Sequence, residues 1–206
     1  MLLRIYEENP NPKAIREVVD CLKRGGVIIY PTDTVYGIGC DINNRKAVER
    51  ICQIRNIKPE KAQFSFICSD LSHITDFCTG IDNPTFKLMK RLLPGPYTFI
   101  LNATNKVPKL FQSKKRTVGI RIPNHSIPLA IVAELGNPIM TASVTDENNM
   151  IEYSTDPSLI YERFEDLVDI VIDGGYGGFE GSTVLNCADG EVEVIREGKG
   201  SIEDLT

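Results

Sequence analysis

The stretch Tyr30-Pro31-Thr32-Asp33-Thr34-Val35-Tyr36-Gly37-Ile38-Gly39 holds the residues best suited to bind a small polar ligand. Two hydroxyls flank a carboxylate within three residues, so hydrogen-bonding groups and an anion are presented together. Val27-Ile28-Ile29-Tyr30 before it reads as a buried strand that Pro31 ends, and Gly37 and Gly39 permit close backbone approach or positive φ. Open α/β proteins bind ligands at such strand ends. The same pattern also suits a strand-to-turn connection in which Thr and Asp satisfy local backbone groups. No Gly-Lys-Ser/Thr follows, so this is not a Walker A loop, and it is not a Gly-x-Gly-x-x-Gly fingerprint either.

Charge is unevenly distributed. Residues 1–150 carry 20 Lys+Arg and 14 Asp+Glu, a net of +6, whereas residues 151–206 carry 3 and 14, a net of −11. That asymmetry points to an anionic partner on the basic part. The cations gather at Arg45, Lys46, Arg50, Arg55, Lys58 and Lys61, then at Lys87, Lys90 and Arg91. A third group is Lys106, Lys109, Lys114, Lys115, Arg116 and Arg121. Any one cluster suits a solvated face; three together suggest a phosphate-bearing ligand. The six cysteines include no Cys-x-x-Cys pair, and His73 and His125 have no ligand spacing, so buried reduced thiols and no metal site are expected.

The elements that must position these groups follow from the patterning. A chain of 206 residues, 42% apolar and 25% charged, predicts one globular domain over 1–206 and excludes collagen-like, disulfide-scaffold and wholly disordered classes. Apolar runs fall far short of a membrane span, and Glu7-Glu8 interrupts the N-terminus before an export signal forms, which predicts a cytoplasmic protein. Asn11-Pro12 offers an N-cap and a first helical proline ahead of Ala14, Ile15, Val18, Val19 and Leu22 at helical spacing. Further helices are predicted around Ala47–Ile54 and over Asn83–Leu92, Pro128–Leu135 and Pro157–Phe164. Strands are predicted at Leu3–Tyr6, Phe64–Cys68, Tyr97–Leu101, Val118–Ile122, Ile139–Ala142, Val168–Ile172, Thr183–Asn186 and Val192–Ile195. Without a regular βαβ beat, this order favours an α/β fold on a mixed sheet, with the last strands at its margin.

The run Tyr30–Gly37 resembles the signature of the YrdC/YciO family of threonylcarbamoyl-adenylate synthases, and nearest its YciO branch. The resemblance extends over Leu93-Pro94-Gly95-Pro96-Tyr97-Thr98, Thr117–Pro123, the Ser143 region, Ile172–Gly175, Ser182-Thr183-Val184 and Ile195-Arg196. It implies a twisted mixed parallel/antiparallel sheet with flanking helices and an open, concave, basic surface. It also implies an ATP-dependent reaction. The amine of L-threonine captures bicarbonate, the carbamate attacks the ATP α-phosphate with Mg²⁺ on the phosphates, and threonylcarbamoyl-AMP passes to a transferase that modifies adenosine 37 of tRNA. Such chemistry needs positioning and positive charge more than a nucleophile.

By resemblance, Thr32, Thr34, Arg121 and Thr141 would contact threonine, with Arg121 forking its carboxylate. Thr117, Ser143, Ser154 and Arg196 would contact the nucleotide. Thr117 and Arg121, four apart on one strand, share a face. The family's Lys-x-Arg pair falls on Arg55-Asn56-Ile57, where Lys58 could supply the missing cation; these two are the catalytic candidates. Its Ser-x-Asn element falls on Ser143-Val144-Thr145, and a threonine-holding histidine falls on Cys68. Two other functions stay open: binding of tRNA or double-stranded RNA without chemistry, and a related nucleotide-dependent reaction at an altered ATP site.

Overall fold

A computed structural model describes residues 1–58, 64–108, 116–144 and 152–205. Asn11 caps the first helix, its side chain accepting from the N–H groups of Lys13 (2.8 Å) and Ala14 (3.4 Å). Pro12 then opens α1 (Pro12–Lys23). Asn44, Asp70, Asp82, His125 and Asp156 cap α2 (Arg45–Ile54), α3 (Leu71–Phe77), α4 (Asn83–Leu92), α5 (Ser126–Leu135) and α7 (Pro157–Phe164) in the same way. One short turn of helix, α6 (Glu152–Thr155), precedes the last.

The strands are β1 (Leu2–Arg4), β2 (Ile28–Tyr30), β3 (Gly37–Asp41), β4 (Ser65–Ile67), β5 (Cys78–Thr79) and β6 (Tyr97–Ala103). They continue with β7 (Thr117–Arg121), β8 (Ile139–Ser143), β9 (Ile170–Asp173), β10 (Thr183–Asn186) and β11 (Glu193–Arg196). All join one sheet in the order β1-β9-β2-β3-β8-β4-β7-β6-β10-β11, with β5 paired to β6. Its pairings are mixed: β1–β9, β2–β9, β4–β7 and β6–β10 are parallel, and β2–β3, β3–β8 and β6–β7 antiparallel. The α/β class is as the sequence predicts. Two details differ. Of the last three strands, only β10 and β11 lie toward a margin, because β9 inserts between β1 and β2. Gly37–Asp41, within the segment read as a turn, is a central strand held by β2 and β8.

Strand alternation sends side chains to two unlike faces. On one, Ile29, Phe66, Phe99, Ile120 and Met140 meet Val48 and Ile51 of α2, Ile74 of α3, Leu88 and Met89 of α4, and Ile160 and Phe164 of α7. On the other, Ile28, Tyr30, Ile139, Ile170 and Ile172 meet Ile15, Val18 and Leu22 of α1 and Ile127, Ile131 and Leu135 of α5. That second cover reaches as far as Ile67 of β4. Beyond it, on β7, β6 and β10, the same face presents Thr117, Gly119, Asn102, Val184 and Asn186, all half-buried. No helix among the described residues is long and apolar enough to cross a membrane.

Candidate functional site

Where β2 ends, the chain turns back to β3 through 31–36. The Thr32 hydroxyl accepts from the Thr34 N–H (3.1 Å) and donates to the Val35 carbonyl (2.7 Å), which closes the turn on itself. Its oxygen also lies 3.1 Å from Oγ1 of Thr34. Gly39 is needed just beyond, because a Cβ there would lie 2.5 Å from the Met140 carbonyl, and one at Gly37 would crowd Thr141 Oγ1 at 3.0 Å and the Tyr30 ring at 3.1 Å. Tyr30 is fully buried, and its hydroxyl donates to Thr141 Oγ1 at 2.6 Å; burial raises its pKa far above the usual phenol range.

Arg121, at the C-terminal end of β7, reaches this turn across 88 residues of sequence. Its Nη2 donates to Asp33 Oδ1 (2.7 Å) and to Thr34 Oγ1 (3.0 Å), and both side chains of the ion pair are only 9% exposed. Burial lowers the Arg121 pKa while Asp33 opposes the shift; an arginine stays charged regardless. Nε of Arg121 is buried without a hydrogen-bond partner, the kind of unmet donor that native interiors rarely keep. Asp33 Oδ2 accepts from the Asn124 N–H at 3.0 Å.

The turn forms one wall of a cleft of about 310 Å³. Thr32, Asp33 and Thr34 face Glu7, Asn124, His125, the 174–178 loop and Lys199 across it. The loop sits close only because it is glycine: a Cβ at Gly178 would lie 2.3 Å from the Thr34 carbonyl, and one at Gly174 would lie 2.5 Å from Pro31. Tyr36 fastens it, donating to the Gly175 carbonyl (2.7 Å) and accepting from the Gly174 N–H (3.3 Å). His125 caps α5 through Nδ1, which accepts from the Ile127 N–H (3.3 Å), and its Nε2 lies 3.6 Å from Glu7. That bond fixes the neutral tautomer with its proton on Nε2. Burial pulls the His125 pKa down, against the pull of Glu7 and Asp33. The sequence reading missed Glu7, Asn124, His125 and Lys199. The cluster of glycines at 174, 175, 177 and 178 was the one sequence signal of close packing there.

Of the other candidates, Thr117, Thr141 and Ser143 lie on the Arg121 face of the sheet. Thr141 pairs with Gly39 and Ser65, and Ser143 with Gly37. Thr117 begins β7, on the Arg121 face, roughly 13 Å along the strand. Arg196 donates to the Ser182 carbonyl (2.8 Å), and its like charge helps lower the Arg121 pKa. Ser154 is half-buried in α6, whose Thr155 carbonyl accepts from Gly177 of the loop (2.8 Å). Arg55 caps the C-terminus of α2, whose buried residues pack on the opposite face; it is half-buried, which lowers its pKa, and Lys58 is exposed. Cys68 points into the interior, and only its N–H, bonded to the Arg121 carbonyl (2.9 Å), touches the site. Lys61, Lys109, Lys114, Lys115 and Thr145 lie outside the described residues.

A mixed sheet, half bare on one face and with a polar cleft at a strand terminus, makes this an α/β protein with an open polar site. The profile of the Sua5/YciO/YrdC family, described as telomere recombination, matches residues 20–198, and the chain belongs to that family. It is 40% identical over 200 residues to the uncharacterized protein YciO of Escherichia coli K12, covering 97% of this chain and 96% of that one. The crystal structure of E. coli YciO superposes with a TM-score of 0.92 at 37% identity, over 100% of this chain and 99% of that one. The chain is also 27% identical over 165 residues to the threonylcarbamoyl-AMP synthase of Coxiella burnetii, covering 80% of this chain and 87% of that one. Sua5 of P. abyssi, crystallised with L-threonine, matches at TM-score 0.89 and 24% identity, over all of this chain and 59% of that one, a likeness of fold.

Proposed function

We propose that the protein is a threonylcarbamoyl-AMP synthase-like enzyme acting on L-threonine, bicarbonate and ATP. The observation that carries this reading is Arg121, a buried guanidinium behind a hydroxyl-lined cleft, tied to one carboxylate and with Nε unpartnered. A guanidinium fork with donors to spare is suited to a second carboxylate. The relation to the C. burnetii synthase gives the same direction. In this reading Thr32, Thr34 and Thr141 surround threonine while Arg121 takes its carboxylate. Thr117 and Ser143 border the nucleotide on the uncovered face, with Ser154 and Arg196 beside it, and Arg55 and Lys58, which follow α2 on the opposite face, would meet the phosphates only past the end of the strands.

The threonine ammonium loses a proton to solvent, and its amine adds to bicarbonate with release of water. A carbamate oxygen then attacks the α-phosphorus; the bond to the bridging oxygen breaks, and pyrophosphate leaves with that electron pair. The chain's residues orient and neutralise rather than attack. Among the described residues no group of three or more His, Cys, Asp or Glu could hold a metal, so Mg²⁺ would ride on the phosphates and offset their charge. With Ile57 where the family has a second cation, the loss of one phosphate-facing guanidinium is expected to slow turnover by about thirtyfold to nearly a thousandfold, on the order of 2–4 kcal/mol. The product would go to a tRNA-modifying transferase.

Release of pyrophosphate from protein, ATP, Mg²⁺, bicarbonate and threonine, each omitted in turn, tests the reading. Release that needs all of them supports it; release without threonine contradicts it. The +6 balance of residues 1–150 favours one further role: holding a tRNA or double-stranded RNA backbone. Affinity that falls steeply with salt is its signature.

A further inference from the structure

The cleft contains a cation that none of the assignments above uses. Lys199 lies in the strap that follows β11, and its backbone is fixed on both sides. The Gly198 N–H donates to Thr183 Oγ1 (2.9 Å), the Lys199 N–H to the Gly181 carbonyl (2.8 Å), and Thr183 Oγ1 to the Gly200 carbonyl. Thr183 is fully buried, so this anchor is rigid. No Cβ could stand at Gly198 or Gly200: one would lie 2.3 Å from the Gly181 carbonyl, the other 2.5 Å from the Tyr97 ring. From that anchor the ammonium of Lys199 crosses the cleft and donates to the backbone carbonyl of Asp33.

That choice of partner is informative. The carboxylate of the same Asp33 is already taken, one oxygen by Arg121 and the other by the Asn124 N–H. The other acid of the cleft, Glu7, faces His125. Lys199 thus reaches into the cleft and meets only a neutral carbonyl, although a free lysine side chain has roughly 2 kcal/mol of rotamer entropy to lose on being held. An ammonium has three donors, and this one uses a single one. Neither carboxylate of the cleft, Asp33 nor Glu7, meets the Lys199 ammonium, whose bond goes to a neutral carbonyl.

We infer that Lys199 is a ligand-positioning residue that receives a carboxylate-type anion of the molecule bound in the cleft, opposite Arg121. The assignment rests on the amino-acid reading of the site. It adds a contact from the C-terminal strap, which couples the strap 198–200 to occupancy of the turn 31–36.

The test uses the intact protein and three probes in calorimetry: L-threonine, L-threonine amide and acetate. Lys199→Met should weaken L-threonine by about tenfold, the worth of one charge-assisted hydrogen bond, and should leave L-threonine amide unchanged. Lys199→Arg should recover most of the affinity. In the pyrophosphate assay the KM for threonine should rise about tenfold with the KM for ATP unmoved. Equal L-threonine affinity in parent and Lys199→Met overturns the assignment, as does a loss confined to ATP. A parent that binds acetate, but neither threonine nor its amide, overturns the amino-acid reading. Loss of that acetate binding in Lys199→Met would still identify the anion contact.

Discussion

The two halves of one sheet face differ in what covers them. On β9, β2, β3 and β8 the face carries Ile170, Ile172, Ile28, Tyr30 and Ile139 under α1 and α5. On β7, β6 and β10 it carries Thr117, Gly119, Asn102 and Asn186 with no such cover. The strands alternate in the same way in both halves; only the side chains on this one face change. The first half therefore supplies stability and the second supplies surface, and the turn 31–36 with Arg121 lies at the boundary between them. A site placed there has a rigid backbone behind it and an open approach in front.

The largest effect is expected at that boundary. Arg121→Ala leaves the buried Asp33 carboxylate without its cation and should destabilise the fold by about 3–5 kcal/mol, read by urea denaturation. Asp33→Asn in the same chain should restore much of that loss, and no recovery would mean that the pair does not act as a unit. Next comes the contrast between halves. Ile172→Ala, in the covered half and fully buried, should cost about 3 kcal/mol. Val184→Thr, in the open half, should stay within about 0.5 kcal/mol; similar losses in both would erase the distinction.

A smaller effect is expected for Tyr30→Phe, which strips Thr141 of its donor and should cost about 1 kcal/mol by the same denaturation measurement. The smallest concerns pH. His73 and His125 both have pKa values below the ordinary 6.5, chiefly through burial. Below that value the unfolded chain binds more protons than the folded one, so stability should fall as pH drops from about 7 toward 5. His125→Asn keeps a capping side chain on α5 and should flatten part of that slope; an unchanged slope would show that His125 does not contribute.

Elements with a strong local signal were legible in the sequence. Asn83–Leu92, Pro157–Phe164 and Thr183–Asn186 have the bounds read from capping and patterning alone. The central strand β3 was not, because Gly37-Ile38-Gly39-Cys40-Asp41 looks like a turn until the close approach of the Met140 carbonyl on β8 accounts for Gly39. The seven-residue helix α3, with Ile74 its one buried residue, gave too short a period to read. Within the site, the hydroxyl–carboxylate–hydroxyl turn stood out locally. Its ion pair with Arg121, the glycine loop behind it and the reach of Lys199 span 88 to 166 residues. Those contacts depend on strand order, which no local pattern encodes.

A crystal structure of the protein grown with L-threonine bears most directly on the account. The ligand carboxylate should lie within hydrogen-bonding distance of the Arg121 guanidinium, with the hydroxyls of Thr32 and Thr34 beside the amino acid. Threonine bound elsewhere, or seated in the cleft with its carboxylate turned to solvent, would contradict it.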